Sequence, residues 1–266
     1  MPEWLDNLLE NALEKIPDES VRSKFSRFIE ERYKEELNQP PRIAIIGATG
    51  VGKSSTINAL FGTNEPISHT RAKTALPEEI TITGANGDLI IYDMPGIGES
   101  IDRDEKHIGA YRDILSKSDV AVWIVSAPHR SFTYDQFIIR DVLGQVNKQL
   151  LSRLVVGVNK VDLMHPNNWD TRVNLPSREQ EINIQDRLEN ILYHLREVIP
   201  GFPEQNIVGY SATKRYHLEQ LFATMLKACP EKRAWVLSSR REIADFWDMV
   251  DPDFRKQYQT MTRGIR

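Results

Sequence analysis

The segment G-A-T-G-V-G-K-S-S, residues 47–55, has the residue types and the spacing of a phosphate-binding loop. An apolar run precedes it and a helical pattern follows it, which is the strand–loop–helix context that such a loop requires. Its glycines let successive backbone N–H groups turn towards an anion, and the following helix adds its positive end. Lys53 can reach β- and γ-phosphates, and the hydroxyl of Ser54 is a suitable Mg²⁺ ligand. The predicted phosphate-binding residues are Gly50, Val51, Gly52, Lys53, Ser54 and Ser55.

A lone carboxylate, Asp93, ends the apolar run I-I-Y-D and is followed by Met94, Pro95 and Gly96. We expect this run to form a strand beside the strand that leads into the phosphate loop. At that position a carboxylate can hold Mg²⁺ through water, and the N–H of Gly96 can approach a γ-phosphate. The pattern D-x-x-G on its own usually marks a turn, so the prediction depends on its place downstream of the phosphate loop.

Three polar residues, Asn159, Lys160 and Asp162, follow another apolar run. The carboxylate of Asp162 can accept hydrogen bonds from guanine N1–H and N2–H₂. Adenine lacks both donors and would leave a desolvated charge unpaired, so the site is predicted to select guanine. Asn159 can touch the base edge and brace the phosphate loop, while the stem of Lys160 can cover the face of the ring.

A second base-contacting segment, Y-S-A-T-K, lies at residues 210–214. The backbone N–H of Ala212 is predicted to donate to guanine O6, with Ser211 and Thr213 on either side. The predicted base-binding residues are therefore Asn159, Lys160, Asp162, Ser211, Ala212 and Thr213.

Alternating apolar runs and helical patterns predict the elements that position these residues. Strands are predicted at 42–47, 79–84, 88–93, 119–126, 153–159 and 206–211, and helices at 53–62, 104–117, 134–150, 179–199 and 216–228. This alternation predicts an α/β domain with a largely parallel sheet. Asn86-Gly87 favours a type I′ hairpin turn, so the second and third strands are expected to pair antiparallel.

The α/β pattern occupies residues 41–229, between a predicted N-terminal helical extension, 1–40, and a predicted C-terminal helical tail, 230–266. A polar, proline-containing excursion at 164–180 precedes the longest helix of the domain. Ser177 is predicted to cap that helix, and Gln180 to complete a capping box with it.

The motifs G-A-T-G-V-G-K-S, D-M-P-G, N-K-V-D and S-A-T, in this order, resemble the motif set of the Ras-like P-loop GTPase superfamily. D-M-P-G-I-G-E-S and the tryptophan-proline excursion are similar to the Era-like branch, which includes bacterial predicted GTPases of unassigned role. The resemblance covers residues 41–229. It implies a three-layer domain with a six-stranded, mostly parallel sheet containing one antiparallel strand, and GTP with Mg²⁺ as its ligands.

The resemblance also implies a switch threonine before the second strand, for which Thr70 and Thr74 are the candidates. Spacing favours Thr74, which with Ser54 and Asp93 completes the predicted Mg²⁺ ligands. The predicted catalytic residues are Lys53, Thr74 and Gly96.

Ile97 follows Gly96, at the place where Ras carries a glutamine that orients the attacking water. In this the sequence resembles Era-like enzymes, which also carry an apolar residue at this place. The apolar residue predicts slow intrinsic hydrolysis. Some relatives bind potassium through an asparagine that would fall at Gly50, and glycine cannot supply that ligand. Arg71 and Lys73 are candidates for positive charge from the switch loop.

The 266 residues are 40% hydrophobic and 27% charged, with a net charge of −4 and one cysteine, Cys229. The acidic balance disfavours non-specific nucleic-acid binding. A single cysteine, an N-terminus without signal-peptide features and no run of about 18 apolar residues predict a cytoplasmic protein. The sequence predicts no particular partner. A protein effector, a second copy of the chain and a membrane all remain open as partners, although the acidic first helix disfavours anionic lipid.

Three functions remain open on these residues. The first is a Mg²⁺-dependent molecular switch that hydrolyses GTP to GDP and phosphate. The second is a scaffold that binds GTP or GDP with little hydrolysis, and the third is an ATP-using phosphotransferase, which Asp162 disfavours.

Overall fold

The computed structural model describes residues 9–63, 78–84, 87–94, 109, 111–128 and 151–240. Internal contacts divide the chain into two units, Met1–Pro40 and Pro41–Arg266, which are described separately below. The predicted boundary between a nucleotide-binding domain at 41–229 and a tail at 230–266 stays a prediction.

Within the first unit, residues 9–13 are helical and helix α1 spans Glu19–Asn38. Asp18 caps α1, because its carboxylate accepts hydrogen bonds from the N–H groups of Ser20 and Val21 at 2.8 and 3.1 Å. The apolar side chains of Val21, Phe25 and Phe28 on α1 are exposed.

The second unit contains a six-stranded sheet in the order β2-β3-β1-β4-β5-β6. The strands span Arg42–Ile46 (β1), Glu78–Gly84 (β2), Gly87–Asp93 (β3), Val120–Ser126 (β4), Leu154–Asn159 (β5) and Ile207–Gly209 (β6). β2 and β3 pair antiparallel, and the other neighbouring strands pair parallel. The predicted fold, a largely parallel sheet with an antiparallel hairpin, is confirmed.

Helices cover both faces of this sheet, so β4 and β5 are buried along their whole length. The helices with described bounds are Lys53–Phe61 (α2), Arg178–Val198 (α3), Leu218–Ala228 (α4) and Glu231–Arg240 (α5), and residues 111–117 are also helical. One face packs Trp123 against Tyr111 and the α3 residue Ile191. The other packs Ile57 of α2 with Leu221 and Phe222 of α4.

Helix α5 packs on the second unit through buried Val236 and Leu237. The guanidinium of Arg233, which is also buried, pairs with Asp119 at 3.2 Å. Arg240 donates to the carbonyl of Asp88 at the start of β3, with 3.1 Å between the nitrogen and the oxygen. The chain after Pro230 therefore begins as a helix that contributes to the core of this unit.

Two of the predicted elements differ from the observed ones or extend beyond the described residues. β6 has three residues rather than the predicted six, because Ser211 leaves the sheet and exchanges two backbone hydrogen bonds with Tyr216. The predicted helix at 134–150 and the first part of that at 104–117 lie outside the described residues. Within the described ranges, every helix is too short or too polar to cross a bilayer.

Candidate nucleotide-binding site

The loop between β1 and α2 has the backbone conformation expected for a loop that folds around an anion. Gly50 and Gly52 have φ angles of 80° and 101°, in the region that side chains other than glycine rarely adopt. A Cβ atom on Gly47 would lie 2.4 Å from the carbonyl oxygen of Ile124 on β4. The loop therefore depends on glycine for its curvature and for its close approach to β4.

The ammonium group of Lys53 lies against this loop. Its Nζ donates to the carbonyl oxygens of Gly47 and Ala48, at 3.1 and 3.4 Å. α2 begins at Lys53, so the first-turn N–H groups and the ammonium place positive charge at the same end of the helix.

Ser54 and Asp93 are brought together by the pairing of β1 with β3, in which Ile45 lies opposite Asp93. The Ser54 hydroxyl donates to the Asp93 carboxylate across 3.5 Å. Hydroxyl and carboxylate oxygens are hard donors that suit Mg²⁺, which takes its other ligands from phosphates and water. The donor set thus fits the predicted ion. The described residues contain no cluster of three acidic, histidine or cysteine side chains that would make a separate, all-protein metal site.

Thr70, Thr74, Gly96 and Ile97 lie outside the described residues. Their roles as switch threonine, γ-phosphate contact and apolar substitute for glutamine stay predictions.

Asn159, at the end of β5, joins the phosphate loop to both base-binding segments. Its Nδ2 donates to the carbonyl of Val51 at 2.9 Å, and its Oδ1 accepts from the N–H groups of Lys160 and Ala212 at 2.8 and 3.0 Å. The side chain is 2% exposed, so these bonds are shielded from water. In this structure the Ala212 N–H, predicted to meet guanine O6, donates to Asn159. Its contact with a base stays a prediction.

Lys160 crosses from the end of β5 to the phosphate loop. Its backbone is left-handed, with φ 66°, and its ammonium donates to the carbonyl of Gly50 at 2.6 Å. The side chain thereby spans the space between the phosphate loop and the base-binding end, and its predicted cover of a base ring stays a prediction.

Asp162 is 6% exposed and lies in a single 3₁₀ turn, Val161–Leu163. No side chain or backbone N–H of the described residues donates a hydrogen bond to its carboxylate. A largely buried carboxylate is stable when its oxygens are hydrogen-bonded, so these oxygens suit the donors of a ligand.

Gln180 holds the segment that carries Asp162, a role that the sequence did not reveal. Its Nε2 donates to the carbonyls of Asp162 and Met164, at 3.1 and 2.9 Å. The predicted capping box is therefore wrong in one half. Ser177 does cap α3 by accepting from the N–H of Gln180, but the Gln180 side chain is fully buried and turns towards the base-binding segment.

The excursion before α3 supports the second base-binding segment. Asn174 donates to the carbonyl of Lys214 at 2.9 Å and accepts from the indole N–H of Trp169 at 3.1 Å. The ring of Trp169 packs edge-on against Tyr216, with 5.0 Å between the centroids. A tryptophan near an asparagine in a polar excursion was the only sequence signal for this contact.

A buried hydroxyl pair joins the end of β6 to the phosphate loop. Tyr210 and Thr56 lie 2.7 Å apart between their hydroxyl oxygens, and Thr56 also donates to the carbonyl of Gly52 at 2.8 Å. Burial raises the pKa of the Tyr210 phenol, so it remains a proton donor to Thr56. Of the remaining predicted residues, Ser211 is buried and accepts from the N–H of Lys214 at 3.0 Å, while Thr213 is exposed.

Residues 42–160 match the sequence profile of the 50S ribosome-binding GTPase family. The uncharacterized proteins YkfA and YfjP of Escherichia coli are each 28% identical to this chain, over 77% and 84% of it and over 69% and 72% of their own lengths. GTPase Era of Aquifex aeolicus is 26% identical over 71% of this chain, which spans 56% of that relative.

Solved structures show the same architecture. A crystal structure of Era in complex with MgGDPNP and part of 16S ribosomal RNA has a TM-score of 0.51 at 25% identity, over 73% of this chain and 58% of that one. Toc33 of Arabidopsis thaliana, in complex with Mg²⁺ and GMPPNP, has a TM-score of 0.53 at 17% identity, over 88% of this chain and 94% of that one.

The fold and the loop between β1 and α2 define a P-loop nucleotide-binding protein. The family match over residues 42–160 and the Era relatives show that the chain is similar, in sequence and in fold, to the Era-like branch of the P-loop GTPases.

Proposed function

We propose that this chain binds GTP and GDP with Mg²⁺ and hydrolyses GTP slowly, as a molecular switch. The observation that carries the proposal is the position of Asn159. One buried side chain contacts the phosphate loop at Val51 and both base-binding segments, at Lys160 and Ala212. A ligand with phosphates at one end and a base at the other would span the groups that Asn159 connects.

At the phosphate end, the chain's own groups supply charge and hydrogen bonds. Lys53 and the N–H groups of the loop would hold the β- and γ-phosphates. Ser54 and Asp93 would hold Mg²⁺, with Thr74 as the third proposed ligand. The ion, when bound, neutralises charge on the phosphate oxygens.

The attacking water has no side-chain partner at position 97, because isoleucine has no hydrogen-bonding group. We therefore assign its positioning to backbone groups around Thr74 and Gly96. Positive charge from Arg71, from Lys73 or from a partner would speed the reaction by stabilising negative charge on the transferred phosphoryl group.

A scaffold that binds GTP or GDP and barely hydrolyses it is the second candidate, and Ile97 is the residue that favours it. A single-turnover assay with excess protein over labelled GTP and Mg²⁺ separates the two. GDP formation that Lys53→Ala abolishes supports the switch. Bound GTP that stays intact for hours supports the scaffold.

At the base end, the Asp162 carboxylate is proposed to accept from N1–H and N2–H₂ of guanine. We expect Asp162→Asn to weaken GDP binding roughly 100-fold and to strengthen binding of xanthosine diphosphate, whose 2-oxo group can accept from the new amide. Competition titration of the two nucleotides against a fluorescent GDP measures this exchange. Asp186→Asn, the same change on the exposed face of α3, is the control. Unchanged guanine preference in Asp162→Asn would contradict the assignment.

For location and partner, we propose the cytoplasm and a protein effector. The Era complex contains RNA, but the net charge of −4 on this chain favours a partner other than RNA. Affinity capture with GTP-loaded and GDP-loaded protein tests this proposal. A partner retained by only one nucleotide state is the expected result.

A further inference from the structure

A groove of about 540 Å³ lies between helix α3 and strand β6, at the open edge of the sheet. Its floor is apolar and is formed by Ile184, Leu188 and Leu192 of α3 with Ile207 of β6. None of the predicted phosphate- or base-binding residues lines it. This β6–α3 groove is therefore a separate surface from the nucleotide site.

The backbone of β6 offers one donor and one acceptor to this groove. The N–H of Tyr210 donates to the carbonyl of Val158 on β5. Backbone groups of successive residues in a strand point to opposite sides, so the N–H and carbonyl groups of Ile207 and Gly209 point away from β5. Two of those four outward groups are used, because the Ile207 N–H donates to Glu204 and the Gly209 carbonyl contacts the His217 ring. Within the described residues, no hydrogen bond forms to the Ile207 carbonyl or from the Gly209 N–H.

These two groups flank Val208 on the same side of the strand. A carbonyl and an N–H two residues apart are the pair that a parallel neighbouring strand uses to bind one of its residues. An edge with such groups is a template for a further strand. The short β6 can therefore bind an extended backbone at this point.

The rim of the groove is negatively charged. Glu181, Glu189 and Glu204 line it, and no lysine or arginine does so among the described residues. Tyr216 also lines the groove, and the pKa of its phenol is raised. Burial is the largest cause, and the negative charges of nearby Glu181 and Glu219 raise it further. The rim favours a positively charged partner.

We propose that the β6–α3 groove binds an extended, lysine- or arginine-containing peptide segment of a partner protein, which adds to β6 as a seventh strand. Its backbone pairs with Ile207 and Gly209, its apolar side chains cover the floor, and its basic side chains meet the rim. A second copy of β6 is disfavoured as the occupant because it would bring an identical acidic rim against this one. A nucleic acid is disfavoured by the same charge.

The probe is a fluorescein-labelled peptide of alternating lysine and valine, with a glutamate–valine peptide for comparison. In anisotropy titrations, saturable binding of the lysine peptide and none of the glutamate peptide is expected. The Gly209 amide signal in a ¹⁵N-labelled sample should shift during the titration. N-methylation of those alternate peptide residues whose N–H groups pair with Ile207 should abolish binding. N-methylation of the intervening residues should leave binding unchanged.

Matched charge reversals locate the site. Glu189→Lys with Glu204→Lys should weaken lysine-peptide binding at least tenfold. Glu179→Lys with Asp186→Lys changes the net charge by the same amount, at exposed α3 positions that do not line the groove. This double variant should leave lysine-peptide binding unchanged. GDP affinity should be the same in both variants, which confirms folding and keeps this test independent of the nucleotide site.

Three results would overturn the proposal. The first is equal weakening of lysine-peptide binding by the two double variants. The second is no saturable binding of the lysine peptide at millimolar concentration, and the third is a Gly209 amide signal that does not shift at saturation. Sedimentation that shows a dimer lost in Glu189→Lys with Glu204→Lys would also overturn it, in favour of a second copy in the groove.

Discussion

The two ends of the candidate nucleotide site are held by different kinds of contact. The phosphate end is formed by one contiguous loop, whose shape comes from glycine backbone angles and whose charge comes from the adjacent Lys53. The base end is formed by two segments about 50 residues apart, joined by the side chains of Asn159, Gln180 and Asn174. The phosphate end is a local structure, whereas the base end depends on tertiary contacts.

This difference predicts how each end responds to substitution. A change in the phosphate loop should remove binding directly, because the loop itself is proposed to contact the phosphates. A change in the supporting residues of the base end should loosen two segments that keep their own chemistry, so its effect on affinity should be smaller and should come with a loss of stability.

The largest expected effect is that of Lys53→Ala. The ammonium is the proposed charged donor for the phosphates, and a hydrogen bond to a charged group contributes about 1.5–3 kcal/mol, which is roughly tenfold to 100-fold in affinity. Calorimetric titration with GTP and Mg²⁺ should show a loss near the upper limit. Lys117→Ala removes an exposed lysine that pairs with Asp113 and is the control. Wild-type GTP affinity in Lys53→Ala would remove the phosphate end from the proposal.

The next effect compares two glycines of the same loop, Gly52→Ala and Gly50→Ala. Both have positive φ, so each alanine costs about 1–2 kcal/mol of backbone strain. A Cβ on Gly52 would also lie 2.4 Å from Nδ2 of Asn159, whereas a Cβ on Gly50 has no atom within 4 Å. Urea unfolding should show Gly52→Ala to be less stable than Gly50→Ala by about 1 kcal/mol, the contribution of a hydrogen bond.

Gly52→Ala should also bind GDP roughly tenfold more weakly than Gly50→Ala, because displaced Asn159 no longer connects the two ends. Equal stability and affinity in these two variants would show that Asn159 does not couple the phosphate loop to the base end.

Gln180→Leu should have a smaller effect on affinity and a clear effect on stability. It leaves the carbonyls of Asp162 and Met164 without their donor, at a cost of about 1–3 kcal/mol for an unsatisfied buried group. We expect GDP affinity to fall about fivefold, since the Asp162 carboxylate remains but is less well positioned. Gln185→Leu, on the exposed face of the same helix, should change neither quantity. A loss of stability with unchanged GDP affinity would confine Gln180 to a structural role.

The smallest effect is expected for Trp169→Phe. The phenyl ring keeps the contact with Tyr216, and only the hydrogen bond to Asn174 is lost. GDP release, followed by displacement of a fluorescent analogue, should become about twofold faster, in line with a net hydrogen-bond contribution near the lower limit of 0.5 kcal/mol. Asn174→Ala, which also leaves the Lys214 carbonyl without its donor, should accelerate release more. The reverse order would contradict the proposed support of this loop by the excursion.

Residues whose partners lie nearby in the sequence, or at ends of neighbouring strands, could be predicted from patterns. The glycine loop, the position of Asp93 beside β1 and the antiparallel hairpin follow from local backbone preferences and from strand order. The length of β6 and the direction of the Gln180 side chain could not be predicted. A glutamine at the third position of a helix can either close a capping box or turn inward, and the choice depends on which carbonyls lack donors in the folded chain.

By itself, the sequence determined the class of the fold and the chemistry available at the site, because strand and helix periodicity, glycine conformations and side-chain groups are properties of short segments. Only the tertiary structure decided that Asn159 joins the two ends of the site, that Gln180 and Asn174 support the base end, and that β6 leaves a carbonyl and an N–H open beside an acidic groove. Those features depend on which distant segments meet, and burial then makes each hydrogen bond or unpaired group matter.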